Sequence, residues 1–103
     1  MQFRLRAETS ENDFLAADQR LQTEFAYQQP GLLRRTTARS NNGEWLIIDH
    51  WRADDDADAC AERWEQDQIA QSFMELIERS SVRVQRFWTV RSDKDPSPLS
   101  DAC

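Results

Sequence analysis

The first part of the chain changes from an alternating to a helical pattern of apolar positions. Residues 2–8 alternate apolar with polar side chains, which predicts a strand. Residues 11–28 repeat apolar side chains every three to four positions, which predicts an amphipathic helix. Ser10 is a candidate N-cap for this helix, and Pro30-Gly31 is a stop signal after it.

The middle of the chain predicts a β-hairpin. Residues 32–40 and 44–52 are rich in strand-forming side chains, and an Asn-Asn-Gly turn at 41–43 separates them. Apolar side chains occupy both faces of the second of these strands. Both faces of the sheet should therefore be covered in the folded protein.

The second helical region contains two apolar stripes that one straight helix cannot bury together. The second stripe is displaced by roughly half a turn from the first. We therefore predict a break near Gln66–Gln68, with Asp67 as the N-cap of a second short helix. The two stripes are Ala57, Cys60, Ala61 and Trp64, and then Ile69, Phe73, Leu76 and Ile77.

The end of the chain predicts one more strand and a tail. Ser80 and Ser81 are expected to end the helical region, and Val82–Val90 alternates as a last strand. The polar residues that follow include two prolines and predict a disordered tail at 92–103. Residues 1–91 then form the single folded domain.

The order of the elements is strand, helix, strand, strand, helix, strand. This βαββαβ order predicts an α+β, ferredoxin-like fold, in which a four-stranded antiparallel sheet carries its helices on one face. The other sheet face would be an exposed apolar patch on a single chain. We therefore predict a homodimer in which two such sheet faces pack together.

Composition and charge exclude several classes of function. The 103 residues suffice for one domain, and the net charge of −6 argues against binding to nucleic acid or anionic membranes. Only 39% of the residues are hydrophobic, but four Trp and five Phe argue against disorder. The longest apolar run, 45–48, is far shorter than the ~20 residues of a membrane span. With no signal sequence and no Cys/His cluster, we expect a cytoplasmic protein without a zinc site, in which Cys60 and Cys103 are reduced.

Three consecutive acidic residues precede the second helical region. Asp54-Asp55-Asp56 could suggest a metal site, but the alternating ligands, glycine and distal Glu of a calcium loop are missing. Carboxylates at this position are typical of helix N-caps and complement the helix dipole. We predict that role and no metal.

Four segments within residues 2–90 resemble the antibiotic-biosynthesis-monooxygenase-like domains of the dimeric α/β-barrel superfamily. The resemblance implies a dimeric barrel and an oxidation of a planar aromatic or quinol-type small molecule without metal, flavin or other cofactor. Trp51 matches a tryptophan of the family, but Ile47 stands where these monooxygenases have an asparagine. Haem-degrading relatives have a histidine in the second helical region, which this chain lacks. The four segments are QQPGLL (28–33), EWLIIDHWR (44–52), WEQDQIAQSF (64–73) and VRVQRF (82–87).

A pocket between the helices and the sheet is the predicted site. Asp49 and Arg86 are candidate catalytic residues because each interrupts an apolar strand face, either as a structural ion pair or as a polar anchor for a ligand. His50 is a third candidate, either as a general base or as a histidine at the subunit interface. The candidate ligand-binding residues, which could equally be plain core, are Trp51, Trp64, Trp88, Ile47 and Phe3.

Two functions remain open from the sequence. One is a small homodimeric enzyme of monooxygenase type that acts on a planar aromatic molecule. The other is a non-catalytic dimeric domain that binds a small ligand or only assembles. A cavity with Asp49 or Arg86 in its wall favours the enzyme, and a solidly packed helix–sheet interface argues against it.

Overall fold

A computed structural model of the protein describes residues 1–91, so the predicted tail at 92–103 lies outside the described residues. The element order is the predicted one, with the second helical region divided in two. The elements are β1 (Gln2–Leu5), α1 (Glu11–Glu24), a short 3-10 helix (Ala26–Gln28), β2 (Leu32–Arg39), β3 (Trp45–Trp51), α2 (Asp54–Trp64), α3 (Gln68–Met74) and β4 (Ile77–Arg83).

The four strands form one antiparallel sheet in the order β2-β3-β1-β4. The chain has the α+β, ferredoxin-like arrangement predicted from the element order, with a sheet of four strands and helices on one face. The central pair, β1 and β3, places Phe3 opposite Trp45, and the β2–β3 hairpin pairs Arg35 with Asp49. We call the face that carries these side chains the inner face, because Phe3 and Trp45 pack there in one core with the helices.

The helix boundaries follow their capping residues. The Ser10 hydroxyl accepts a hydrogen bond from the Asp13 backbone N–H at 3.0 Å and caps α1. The Asp67 carboxylate accepts one from the Ala70 N–H at 2.9 Å and caps α3. The predicted break between the two apolar stripes is therefore confirmed.

Aromatic rings fill the interface between the sheet and α1 and α3. The ring centroids of Phe14 and Trp45 are 4.6 Å apart, and those of Phe14 and Phe73 are 5.4 Å apart, distances typical of packed aromatic pairs. The largest fully buried side chains are Phe3, Phe14, Phe73, Leu21 and Ile77. This half of the interface is packed like a protein interior and has no room for a ligand.

The last strand is displaced from its predicted position. It spans Ile77–Arg83 and not Val82–Val90, because α3 ends after two turns and the buried Ile77 pairs with Leu5 in β1. The register shifts between the Gln2 and Arg4 pairings, where β1 meets β4. At this irregularity the Ser81 hydroxyl accepts the Arg4 N–H at 2.8 Å, so Ser81 serves the sheet and does not end a helix.

The acidic start of α2 also differs from its predicted role. Ala53 is the N-cap, and no side chain caps this helix. Asp54, Asp55 and Asp56 lie in the first turn, where they complement the helix dipole as predicted. None of the helices described within residues 1–91 is long and apolar enough to cross a bilayer.

Candidate functional site

A cluster of charged side chains interrupts the inner face where α1 crosses the β2–β3 hairpin. Arg35 and Asp49 are cross-strand neighbours there, and Asp18 projects from α1 between Phe14 and Leu21. The Arg35 Nη2 lies 2.7 Å from the Asp18 Oδ1, and the Arg35 side chain is only 2% exposed. A buried arginine requires such partners, because burying its charge alone is costly.

The Arg35 guanidinium is almost fully engaged by its neighbours. Its Nη1 donates to the Gln22 Oε1 at 3.3 Å and to the Thr37 Oγ1 at 3.4 Å. The Thr37 hydroxyl in turn donates to the Asp18 Oδ2 at 2.8 Å. Only the Arg35 Nε is directed to Asp49, at 3.7 Å from the Oδ1, which is longer than a hydrogen bond.

Asp49 is the least satisfied member of this cluster. Its side chain is 38% exposed, and within residues 1–91 its carboxylate accepts no side-chain hydrogen bond. Burial raises the pKa of Asp49, and the nearby Asp18 charge adds to this, while Arg35 and the N-terminal ammonium act in the opposite direction. Asp49 therefore combines access to solvent with an unused capacity to accept hydrogen bonds.

Helix α2 lies close to this carboxylate. Cys60 of α2 is half-buried, and burial together with the Asp49 charge raises its pKa to about 11, whereas Arg63 lowers it. The thiol is therefore protonated at neutral pH and is not a nucleophile. Helix α2 contains no buried residue, so the space between it and the sheet is the loosest part of the helix–sheet interface.

Two of the predicted ligand-binding residues are core residues, and two others lie at the border of the core. Phe3 and Ile47 are 0% and 5% exposed and belong to the packed core. Trp64 is half-buried and packs its ring at 5.6 Å from Phe25 and 6.2 Å from Phe73. Trp51 is half-buried and shares the Asp49 face of β3, since it lies two residues farther along the strand.

Arg86 and Trp88 lie away from Asp49. The predicted Asp49–Arg86 pair is wrong, because β4 ends at Arg83 and residue 86 is beyond the sheet. The Arg86 Nη2 lies 2.9 Å from a carboxylate oxygen of Asp58 in α2. The Trp88 indole N–H donates to the Asp54 carboxylate at 3.0 Å, and the Trp88 side chain is 65% exposed.

His50 lies on the opposite sheet face from Asp49, as the alternation of β3 predicts. It pairs with Arg34 across the hairpin, and its Nδ1 is buried without a hydrogen-bond partner among the described residues. It cannot act together with Asp49, because the sheet separates the two side chains. The structure therefore divides the three catalytic candidates among three places.

The two most distinct cavities in the described part of the chain lie at another end of the sheet. One has a volume of about 430 Å³ and is lined by residues that include Arg4, Arg39 and Trp45. The other, of about 530 Å³, adjoins Arg6 and Glu78. Neither contains any of the predicted site residues. Among residues 1–91, no group of three His, Cys, Asp or Glu side chains is arranged to hold a metal ion.

Sequence reasoning missed Asp18 and Arg35. Both could have been found, because Asp18 follows Phe14 by four positions in the apolar stripe of α1. In β2, Arg35 alternates onto the same face as Thr37 and faces Asp49 once the hairpin register is set by its turn. A polar residue in an apolar stripe is the informative signal of a buried site.

Comparisons with protein-family models, with curated proteins and with solved structures find no match to this chain.

Proposed function

We propose that this protein is a homodimer that binds a small planar molecule between α2 and the sheet, with Asp49 as the hydrogen-bond acceptor. The observation that carries the proposal is the Asp49 carboxylate itself. It is 38% exposed on a sheet face that is otherwise filled by packed side chains, and it accepts no side-chain hydrogen bond within residues 1–91. Polar groups with unused capacity at the edge of an apolar interface are typical of ligand sites.

A planar ligand fits the neighbouring side chain. Trp51 is half-buried on the same strand face as Asp49 and offers one side of its indole as a stacking surface. Since α2 buries no residue, a flat molecule can enter beside it without displacing the packed core. The aromatic core under α1 and α3 contributes stability and not ligand contacts.

The distribution of apolar surface supports a dimer. Residues beyond β4 expose large apolar side chains, among them Phe87 at 60% and Val84 at 74%. Leu46 and Ile48 are only half-buried on the outer sheet face, the one opposite the helices. A second copy packed on this face would cover apolar surface that a single chain leaves in contact with water.

The edges of the sheet are poor alternatives for a second copy. At the β2 edge, the Tyr27 hydroxyl accepts the Arg35 backbone N–H at 3.1 Å and so occupies a donor that edge pairing would need. At the β4 edge, the register shift and the Ser81 contact interrupt the regular ladder. Occupied donors and irregular strands prevent edge-to-edge pairing, which leaves the outer face as the surface for assembly.

A second candidate function is cofactor-independent oxidation of a phenol or quinol bound at the same place. The raised pKa of Asp49 favours it, because a carboxylate with a raised pKa is a better base for a phenolic proton. The substrate anion would then react with O₂, and a phenol plus O₂ gives a quinone plus water. The substrate itself supplies the electrons, so no external reductant is needed.

Binding can be tested by titrating the isotope-labelled protein with a panel of phenols and hydroquinones and following amide chemical shifts. We expect shifts at Asp49, Cys60 and neighbouring residues of α2 and β3. The Asp49→Asn variant should weaken binding, and the matched control Glu62→Gln, an exposed carboxylate on α2, should not. Shifts confined to the Arg4–Arg39 cavity would contradict the proposed site.

Catalysis and assembly need separate measurements. Oxygen consumption with the phenols that bind would establish the oxidase candidate, and its absence with every bound phenol would leave binding as the function. Light scattering at micromolar concentration should give twice the 12.1 kDa chain mass. A 12.1 kDa species under those conditions would contradict the dimer.

A further inference from the structure

We infer that the Asp49 site selects ligands that donate a hydrogen bond and rejects carboxylates and phosphates of the same shape. This inference rests on the proposed binding at Asp49 and adds the chemical class of the ligand. It follows from how the three charged residues of the cluster share their hydrogen bonds, and each step can be traced to a contact.

The first step is that Arg35 does not serve as an anion-binding residue. Its side chain is 2% exposed, and both terminal nitrogens already have acceptors in Asp18, Gln22 and Thr37. An incoming carboxylate would have to displace the 2.7 Å contact with Asp18 and leave that carboxylate without its partner. Breaking a buried charge pair is strongly unfavourable, so this arginine is not available to a ligand.

The second step is that the other nearby cations are also held. The Met1 ammonium, which acts on the Asp49 carboxylate, donates to the Ile47 carbonyl at 2.7 Å. The Arg63 Nε donates to the Gln29 Oε1 at 2.6 Å. Each of these groups is directed at a protein oxygen and not at the space in front of Asp49. An anion placed there would meet a carboxylate first, and like charges at close range repel strongly.

The third step is that a donor finds what it needs. An ionised carboxylate is purely an acceptor, and Asp49 has room for at least one O–H or N–H donor. Hydrogen bonds from a neutral donor to an ionised acceptor are short and about twice as strong as neutral pairs. A phenol, an amide or a protonated amine therefore satisfies Asp49, whereas a carboxylate or phosphate leaves it unsatisfied.

Benzamide and benzoate form a nearly isosteric pair that tests this inference. Both are flat, but at pH 8 benzamide offers N–H donors and benzoate offers only negative charge. We expect benzamide to bind at least about tenfold more tightly than benzoate in low salt, as measured by chemical-shift titration. In Asp49→Asn, which replaces one acceptor oxygen by an N–H donor, the preference should fall below about twofold or reverse. Glu62→Gln should retain it.

The possible results separate this inference from the proposed function. If benzoate shifts the Asp49 and Cys60 amides at concentrations similar to those of benzamide, binding stands and the selection of donors is overturned. If neither compound, nor any phenol, shifts these amides, the proposed binding function is itself contradicted. If the preference for benzamide is the same in the wild type and in Asp49→Asn, Asp49 is not its cause and the inference fails.

Discussion

The two halves of the helix–sheet interface differ in how firmly their helices are attached. Helix α1 buries Phe14, Asp18 and Leu21, and the seven residues of α3 include the buried Ala70 and Phe73. Helix α2 has eleven residues and buries none. One sheet face thus supports a rigid aromatic core under α1 and α3, and a loosely covered space under α2.

The same contrast appears along a single strand. On the inner face of β3, Trp45 and Ile47 are 6% and 5% exposed, whereas the Asp49 side chain two residues later is 38% exposed. Stability and binding are therefore assigned to different ends of one strand. Substitutions at the Trp45 end should change the free energy of unfolding, and substitutions at the Asp49 end should change ligand contacts with little cost in stability.

Phe14→Ala is expected to have the largest effect on stability. Phe14 is fully buried and contacts three other rings of the core, so its removal leaves a cavity. We expect a loss of about 3–5 kcal/mol in the free energy of unfolding, measured by urea denaturation. Leu15→Ala, one position along the same helix but 42% exposed, is the control and should cost less than about 1 kcal/mol. Equal losses would contradict the contrast between the two halves.

Asp18→Ala should have the next largest effect, because it leaves the buried Arg35 without its closest partner. We expect a loss of about 3 kcal/mol in urea denaturation. The double variant Asp18→Leu with Arg35→Met removes both charges and should lose less than Asp18→Ala alone. A larger loss in the double variant would show that the ion pair is a net source of stability and would place it with the rigid half.

The division of the second helical region was predictable because its signals are local. Two apolar stripes out of phase require a break, and Asp67 supplies the cap where the second helix begins. The hairpin was predictable for the same reason, since the turn at 41–43 sets its register. Boundaries set by nearby residues can be derived from the sequence alone.

The last strand and the polar cluster depend on distant residues. The alternation of Val82–Val90 is as regular as that of a strand, but burial of Ile77 against β1 determines which residues pair. Likewise, Asp49 is paired with Arg35 and not with Arg86, because β2 and not the end of the chain lies beside β3. Such choices are made by tertiary packing, which overrides local pattern.

Hydrogen exchange should detect the weaker attachment of α2 directly. Amides of Asp54–Trp64 are expected to exchange through local opening, at a free energy roughly 2 kcal/mol or more below that of global unfolding. Amides of Gln68–Met74 in α3 should exchange only through larger openings, because Phe73 anchors that helix in the core. Native-state exchange at increasing urea separates the two classes, and a shared urea dependence would mean that α2 is as firmly held as α3.

Asp49→Asn should give the smallest change in stability, and its sign depends on pH. Burial raises the pKa of Asp49 above its model value of 3.8, so the folded state favours the protonated carboxyl. The contribution of this group is most favourable below pH 3.8 and is lost as the pH rises through the raised pKa of the folded state. The variant should therefore be slightly more stable than the wild type at pH 7 and equally stable below pH 3.8, as measured by urea denaturation at several pH values. A loss of stability at pH 7 would mean that the ionised Asp49 supports the fold through Arg35, and the difference between the two ends of β3 would then not hold.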